Sequence, residues 1–217
     1  MRGELHYTLT RPEALSSDLG GVQLAARYNI VPGQTAAVVR RRGLARVCEQ
    51  LRWGLLPRWR GHGGKRGPLI PSVPIEAVPG TPLLRDAFKK QRCLVLADGC
   101  YAWRELKQPI WCHPDPFKPV VFAGIWATGD DGIPSFALLL GLPLVTRVND
   151  AMPIVLPDDA YDAWLDPDVH ADAASELLAH APVVGWRADA VSTRMSSTHD
   201  DPKCIEPLGN PLQGELF

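Results

Sequence analysis

Nine Arg and Lys residues fall between positions 40 and 66: Arg40, Arg41, Arg42, Arg46, Arg52, Arg58, Arg60, Lys65 and Arg66, with Glu49 the single acid among them. Trp53 and Trp59 are interleaved with them. Guanidinium and ammonium groups neutralise phosphates, and an exposed indole face stacks on an unpaired base. The pattern fits a single-stranded nucleic acid, and it fits a charged hairpin with Trp in the core equally well. Other chemical signatures are missing: the chain has no G-x-S-x-G, H-E-x-x-H, Walker A or G-x-G-x-x-G motif. The basic stretch Gly61-His62-Gly63-Gly64-Lys65 lacks the Walker spacing and reads as a loop. The cysteines (Cys48, Cys93, Cys100, Cys112 and Cys204) are odd in number, spread over the chain and without a C-x-x-C pair. That argues against a disulfide framework, and Cys112-His113 has the wrong spacing for a zinc knuckle. They read as small buried residues of a reducing compartment. His62, His113, His170, His180 and His199 show no ligand spacing and read as surface or structural histidines. The acidic stretch 158–172 reads as charge at a helix N-terminus with a solvated face. No metal and no cofactor is expected.

These residues need elements to position them, and composition bounds what those are. The 217 residues are 46% hydrophobic and 22% charged, as in an ordinary globular chain with its own core. The net charge of −1 conceals a split. Residues 1–110 hold 18 Lys and Arg against 8 Asp and Glu, or +10, while residues 111–217 hold 5 against 16, or −11. Such asymmetry points to an anionic partner on one face. No apolar run approaches the ~18 residues of a membrane span. The start Met1-Arg2-Gly3-Glu4 has no apolar core of a secretory signal, so a cytoplasmic protein is expected. The 19 glycines and 21 prolines punctuate the whole chain, which favours many short elements over a helix bundle.

Residues 12–19 read as a short helix with Thr10 as cap, and 28–33 as a loop entering a strand at 35–40. Val47, Glu49, Leu51 and Trp53 alternate as in a strand. Four prolines in 71–82 exclude a central strand or a helix interior there. Pro82 opens a helix with Leu84, Ala87 and Phe88 on one face. The runs 92–97, 120–126, 135–142 and 154–156 have strand length, and 157–165 and 171–181 read as helices, the first burying Ala160, Tyr161 and Trp164. No linker or repeat divides the chain. The expectation is one α+β domain over residues 1–217, mostly antiparallel strands forming a barrel-like core with flanking short helices.

The order of motifs narrows this further. Arg27-Tyr28-Asn29-Ile30-Val31-Pro32-Gly33-Gln34 is followed by Trp53-Gly54-Leu55-Leu56-Pro57-Arg58-Trp59. Then come the stretch from Phe88 to Trp103, Phe122-Ala123-Gly124-Ile125-Trp126, and Asp150-Ala151-Met152-Pro153. Val191-Ser192-Thr193-Arg194 and Ile205-Glu206-Pro207-Leu208 close the series. This resembles the SOS response-associated peptidase (SRAP) family over nearly the whole length. The resemblance implies a protein that binds single-stranded DNA and senses abasic sites. In that family removal of the initiator Met exposes an N-terminal Cys, whose amine and thiol condense with the sugar aldehyde to a thiazolidine, a DNA–protein crosslink. An Asn, a Glu and a His support that chemistry.

The chain departs from the family at those positions. Arg2 stands where the nucleophile would be, and a guanidinium stays protonated near neutral pH. Pro71 and Ser72, followed by Val73-Pro74, stand in the segment that carries the family's Asn and a DNA-contacting Arg; Ala102 replaces the Glu, and Asn149 the His. Glu4 replaces another DNA-contacting Arg. The expectation is a catalytically degenerate DNA-binding pseudoenzyme whose contacts come from Arg40, Arg41, Arg42, Arg52, Arg58, Trp59, Lys65, Arg66 and Trp103. Two alternatives stand beside it. In one, the Met1 α-amine forms a Schiff base with an abasic aldehyde, aided by Glu4 or His6; in the other, DNA binding is lost and the chain serves protein interaction.

Overall fold

Residues 92–97 form a strand whose six residues are all buried, so it is covered on both faces, and the architecture grows around it. The structure is a computed structural model that describes residues 5–18, 22–56, 67–104, 108–145, 151–179, 185–196 and 198–209. Its strands are β1 (Tyr7–Leu9), β2 (Arg27–Ile30), β3 (Thr35–Arg42), β4 (Ala45–Trp53), β5 (Ser72–Pro74), β6 (Arg92–Ala97), β7 (Gly99–Trp103), β8 (Pro109–Pro114), β9 (Val120–Thr128), β10 (Pro134–Gly141), β11 (Met152–Pro153), β12 (Val155–Leu156) and β13 (Trp186–Ala190). The α-helices are α1 (Pro82–Lys90), α2 (Tyr161–Leu165) and α3 (Ala171–Ala179).

Five strands close on themselves. In the order β10, β4, β3, β6, β9 and back to β10, each has a partner on both sides, so the core is a small barrel. Pairing is antiparallel except where β10 meets β4 and β5. A second, antiparallel sheet of order β13, β8, β7, β1, β2 packs against it. Tyr7 of β1 joins the two, lying edge-on to Trp53 of β4 (centroids 4.9 Å apart) and to Phe122 of β9 (6.3 Å), while within the barrel Trp53 stacks on Phe136 of β10 (6.4 Å). Such pairs add about 0.5–1.5 kcal/mol each beyond burial alone. The fold is α+β and strand-rich, as expected.

The chain leaves the barrel for the second sheet through one residue, Asp98, between β6 and β7. Asp98 is 0% exposed. Its carboxylate accepts from the Thr8 hydroxyl (2.6 Å), the Thr10 hydroxyl (2.8 Å), the Thr10 N–H and the Arg11 N–H (3.0 Å), and its own N–H donates to the Thr8 carbonyl (2.9 Å). A buried charge is tolerated only when donors converge on it in this way. The next residue must be Gly99. A β-carbon there would lie 2.5 Å from Trp111 Nε1 and 2.8 Å from the Cys112 carbonyl.

A second buried ion, Arg92, fastens the helices. Its guanidinium donates to the carbonyls of Phe88 (2.8 Å), Lys89 (3.0 Å), Trp164 (2.5 Å), Asp166 and Val169 (3.2 Å). It thereby satisfies carbonyls left open at the ends of α1 and α2. Burial pulls its pKa down, and the nearby Asp166 carboxylate opposes that pull.

Several local expectations change. Residues 27–30 pair with β1 as β2, so only 31–34 form the loop. Residues 12–18 form a 3-10 turn rather than an α-helix, and Thr10 serves Asp98 instead of capping it. The proline-rich stretch contributes β5, which among the described residues pairs with β10 alone and so has one side without a ladder. That flank position is where proline is tolerated. The strands β7, β8 and β13 were not legible from local pattern, because their pairing with one another sets them. Helix α1 starts at Pro82 and buries Leu84, Ala87 and Phe88 as predicted. The stretch 157–165 resolves into a 3-10 turn, Asp158–Ala160, followed by α2, with Ala160 and Trp164 buried and Tyr161, against expectation, only partly so.

Asp98→Asn keeps the shape of the side chain but removes the charge that receives these donors. We expect a loss of about 3 kcal/mol, measured by urea unfolding. A cost under about 0.5 kcal/mol would mean that the Asp98 cluster does not hold the two sheets together.

Candidate functional site

The basic segment begins as the β3–β4 hairpin, and its cations are already engaged. Arg40 and Arg42 both pair with Glu49, the latter at 2.6 Å, and the Arg40 guanidinium also lies 4.0 Å over the Trp126 ring. The Arg40 side chain is 7% exposed, against 65% for Arg42. Arg41 meets Asp166 (2.9 Å), Arg46 meets Asp162 (2.7 Å) and Arg52 meets Asp131 (3.1 Å). Three of these acids belong to the acidic half of the sequence, so part of the charge split is satisfied inside the molecule. Trp53 is core, as one of the two sequence readings had it. Trp103 is half-buried against the cluster formed by Tyr101, Trp111, Val191, Met195 and Cys204.

Of the positions to which the resemblance assigned chemistry, Pro71, Ser72 and Ala102 are described. Ala102 on β7 is buried in the main core, on the same face as Cys100, Ile110 and Cys112. The Pro71 carbonyl accepts from Trp53 Nε1 (2.7 Å) and from the Leu138 N–H (2.9 Å), which fixes the backbone leading into β5. Ser72 opens β5 opposite Leu138. None of these three side chains donates or accepts a proton near neutral pH. Met1, Arg2, Glu4, Arg58, Trp59, Arg60, Lys65, Arg66, Asn149 and His180 lie outside the described residues, as do residues 61–66 of the glycine-rich loop.

The model of the family described as "SOS response associated peptidase (SRAP)" matches residues 5–198. The chain belongs to that family. Its relatives include the abasic site processing protein YoqW of Bacillus subtilis, 28% identical over 192 residues that cover 82% of this chain and 85% of YoqW. A phage-related protein from Bordetella bronchiseptica superposes with a TM-score of 0.70 at 25% identity, covering 86% of this chain and 93% of that one. A protein from Bacteroides thetaiotaomicron shares the fold at a TM-score of 0.76 and 16% identity, covering 94% and 99%.

On this SRAP fold the second sheet separates two environments by strand alternation. Cys100 and Ala102 face the core, whereas Tyr101 and Trp103 face outward with Trp111. The same alternation puts His6 on the outer side, where its Nδ1 bonds Asn29 Oδ1 (2.9 Å) and its ring meets Tyr101 edge-on. The C-terminal segment covers part of that outer face. Asn29 Nδ2 donates to the carbonyls of Met195 (2.9 Å) and His199 (2.8 Å). The Asp200 carboxylate accepts from Arg27 and from the N–H groups of Tyr28 and Asn29. Arg194 pairs with Asp201 at 2.5 Å. The motif around Asn29 therefore works as a clasp for the chain's end.

Sequence reasoning did not find the side-chain group beside that clasp. His113 stacks on Trp111 (centroids 4.1 Å apart, planes at 29°), with Phe117 5.8 Å from each ring. His113 Nε2 lies 3.1 Å from Asp189 Oδ2, and Arg187 Nε donates to Asp189 Oδ1 at 2.8 Å. Burial alone would raise the Asp189 carboxyl, but these two bonds leave it below the ordinary carboxylate value. The alternation of Ile110 and Cys112 with Trp111 and His113 was the available signal, and prolines 109 and 114 at either end obscured it. No thiol here is activated. Burial raises Cys48, Cys93, Cys100 and Cys204, and pushes Cys112 up to about 12. Among the described residues no group of His, Cys, Asp and Glu is placed to hold a metal ion.

The clasp carries an acid limit. The hydrogen bond from Arg194 holds the Asp201 carboxyl below its usual 3.8. A carboxyl lowered by folding stabilises fully above the unfolded value and loses that contribution as pH falls through the folded value. Asp201→Asn should therefore melt below wild type at pH values above 3.8, and the gap should close as pH falls below 3.8 through the lowered folded value, as followed by thermal melts down to pH 2. A gap unchanged down to pH 2 would refute the Arg194–Asp201 contribution.

Proposed function

We propose that this protein acts in the DNA-damage response by holding single-stranded DNA with abasic sites without bonding to it covalently. Its relative YoqW carries the name of an abasic site processing protein, which supports the DNA ligand. The observation that carries the non-covalent reading is Ala102: where the resemblance places a Glu, a methyl group is packed into the core. Pro71 and Ser72 supply no replacement, and Arg2 is no nucleophile. General acid–base assistance needs a titratable group within reach of the reacting atom.

The contacts in this reading are phosphate contacts first. Arg41, Arg42 and Arg52 reach DNA only by competing with Asp166, Glu49 and Asp131. Partly exposed ion pairs such as those of Arg41 and Arg42 contribute about 0.2–1 kcal/mol, so a phosphate can displace them, whereas the Arg52–Asp131 pair is largely buried and yields less readily. Arg40 is committed to Glu49 and Trp126. Arg58, Lys65 and Arg66 supply further charge, and Trp59 and Trp103 the stacking surfaces.

Intact-mass spectrometry after incubation with an abasic single-stranded oligonucleotide should show unmodified protein, with or without borohydride. A trapped adduct that disappears when the N-terminus is blocked would overturn this reading in favour of Met1 chemistry. Fluorescence anisotropy should show affinity that falls with salt, and Lys65→Glu with Arg66→Glu should lower the slope of log K against log salt by about 1.4. Absence of DNA affinity at low salt would overturn it in favour of a protein-interaction role.

A further inference from the structure

The outer face of the second sheet carries a cavity of about 630 Å³ that lies on the opposite side of β7 from Ala102. That volume is in the range of small-molecule sites. Four aromatic rings line it, those of Tyr28, Trp111, His113 and Phe117. Trp111 and His113 are 7% and 8% exposed, so they are fixed walls rather than mobile surface rings. Trp111 is further held by its Nε1 donating to the Thr8 hydroxyl at 3.1 Å, and His113 by Asp189 and the Pro114 carbonyl. Asp189 itself is occupied by His113 and Arg187.

The rim is charged and exposed. Arg11 lies 4.6 Å over the Phe117 ring, Lys203 stands on the C-terminal segment, and Glu206 is exposed on the same rim; Arg187, a further lining cation, is held by Asp189. Aromatic walls take a flat π-system, Arg11 and Lys203, the lining cations not paired with Asp189, take an anionic tail, and Glu206 accepts from an amine while repelling a phosphate. One ligand class combines all three: a nucleotide whose base carries an exocyclic amine.

We propose that this cavity binds one amine-bearing nucleotide, with its base among Tyr28, Trp111, His113 and Phe117, its phosphate on Arg11 and Lys203, and its amine toward Glu206. The site lies across β7 from Ala102 and does not require the DNA reading above. A free nucleotide and a base splayed from a strand share this chemistry. Hydrogen bonds from an exocyclic amine to a carboxylate discriminate such bases from thymine.

Isothermal titration of the full chain with dAMP should show saturable binding, with dTMP at least about fivefold weaker. Phe117→Ala and Lys203→Glu should each weaken dAMP about tenfold. Unchanged melting temperatures would separate lost binding from lost folding. If Phe117→Ala fails to fold, Arg11→Glu serves in its place, since the Arg11 contact with Asp98 runs through the backbone. An oligonucleotide (dA)6 that displaces dAMP assigns the site to a strand, and failure to displace assigns it to free nucleotide; both uphold the proposal. No heat of binding at 10 mM dAMP, equal affinity for dTMP, or affinity untouched by the rim variants overturns it. Oligonucleotide affinity that persists in that case leaves the proposed function standing, whereas dAMP binding without oligonucleotide affinity upholds the cavity and overturns the DNA reading.

Discussion

A single buried carboxylate determines how the two sheets of this protein meet. Asp98 is the one residue between β6 of the barrel and β7 of the second sheet, and it is removed from water. Left alone there, the ion would be costly, so the N-terminal segment wraps to supply hydroxyls from Thr8 and Thr10 and N–H groups from Thr10 and Arg11. Those bonds place β1 beside β7, and β1 then delivers Tyr7 onto Trp53 and Phe122 in the barrel. Gly99 follows because Trp111 and the backbone of Cys112 fill the space where its side chain would stand. Sheet position, aromatic core and the setting of Trp111 all descend from one desolvated charge.

Charge elsewhere works within the molecule as well as toward a partner. The β3–β4 hairpin meets acids of α2 and its following loop through Arg41–Asp166 and Arg46–Asp162, and pairs internally through Glu49. Basic and acidic halves of the chain are thus partly complementary surfaces of one fold. Arg92 belongs to the same logic from inside, since it gathers carbonyls from the ends of two helices around a buried guanidinium.

Strand alternation divides the second sheet into a core side and an outer side with different chemistry. The core side carries Cys100, Ala102 and Cys112, where burial disfavours thiolates. The outer side carries His6, Tyr101, Trp111 and His113, where the C-terminal clasp closes over rings and ion pairs. A one-residue change of register would exchange the two environments, which is why the pairing at β7–β8 matters to any chemistry here.

The sequence by itself determined the family, the strand-rich class and the longest strands. Motif order and apolar runs such as 92–97 and 135–142 are local or near-local features, and they need no partner to be read. It also posed the two readings of Trp53 without deciding between them. Tertiary structure decided that Trp53 belongs to the barrel and that Arg40 is held by Glu49 and Trp126. It also decided that Trp111, His113, Phe117 and Asp189 share one cavity. The strands β7, β8 and β13 are short and interrupted by Pro, Gly and charged residues, so their local pattern is weak and pairing alone makes them strands. The cavity joins residues from positions 10 to 207, a separation that only strand pairing and the Asp200 clasp bring together.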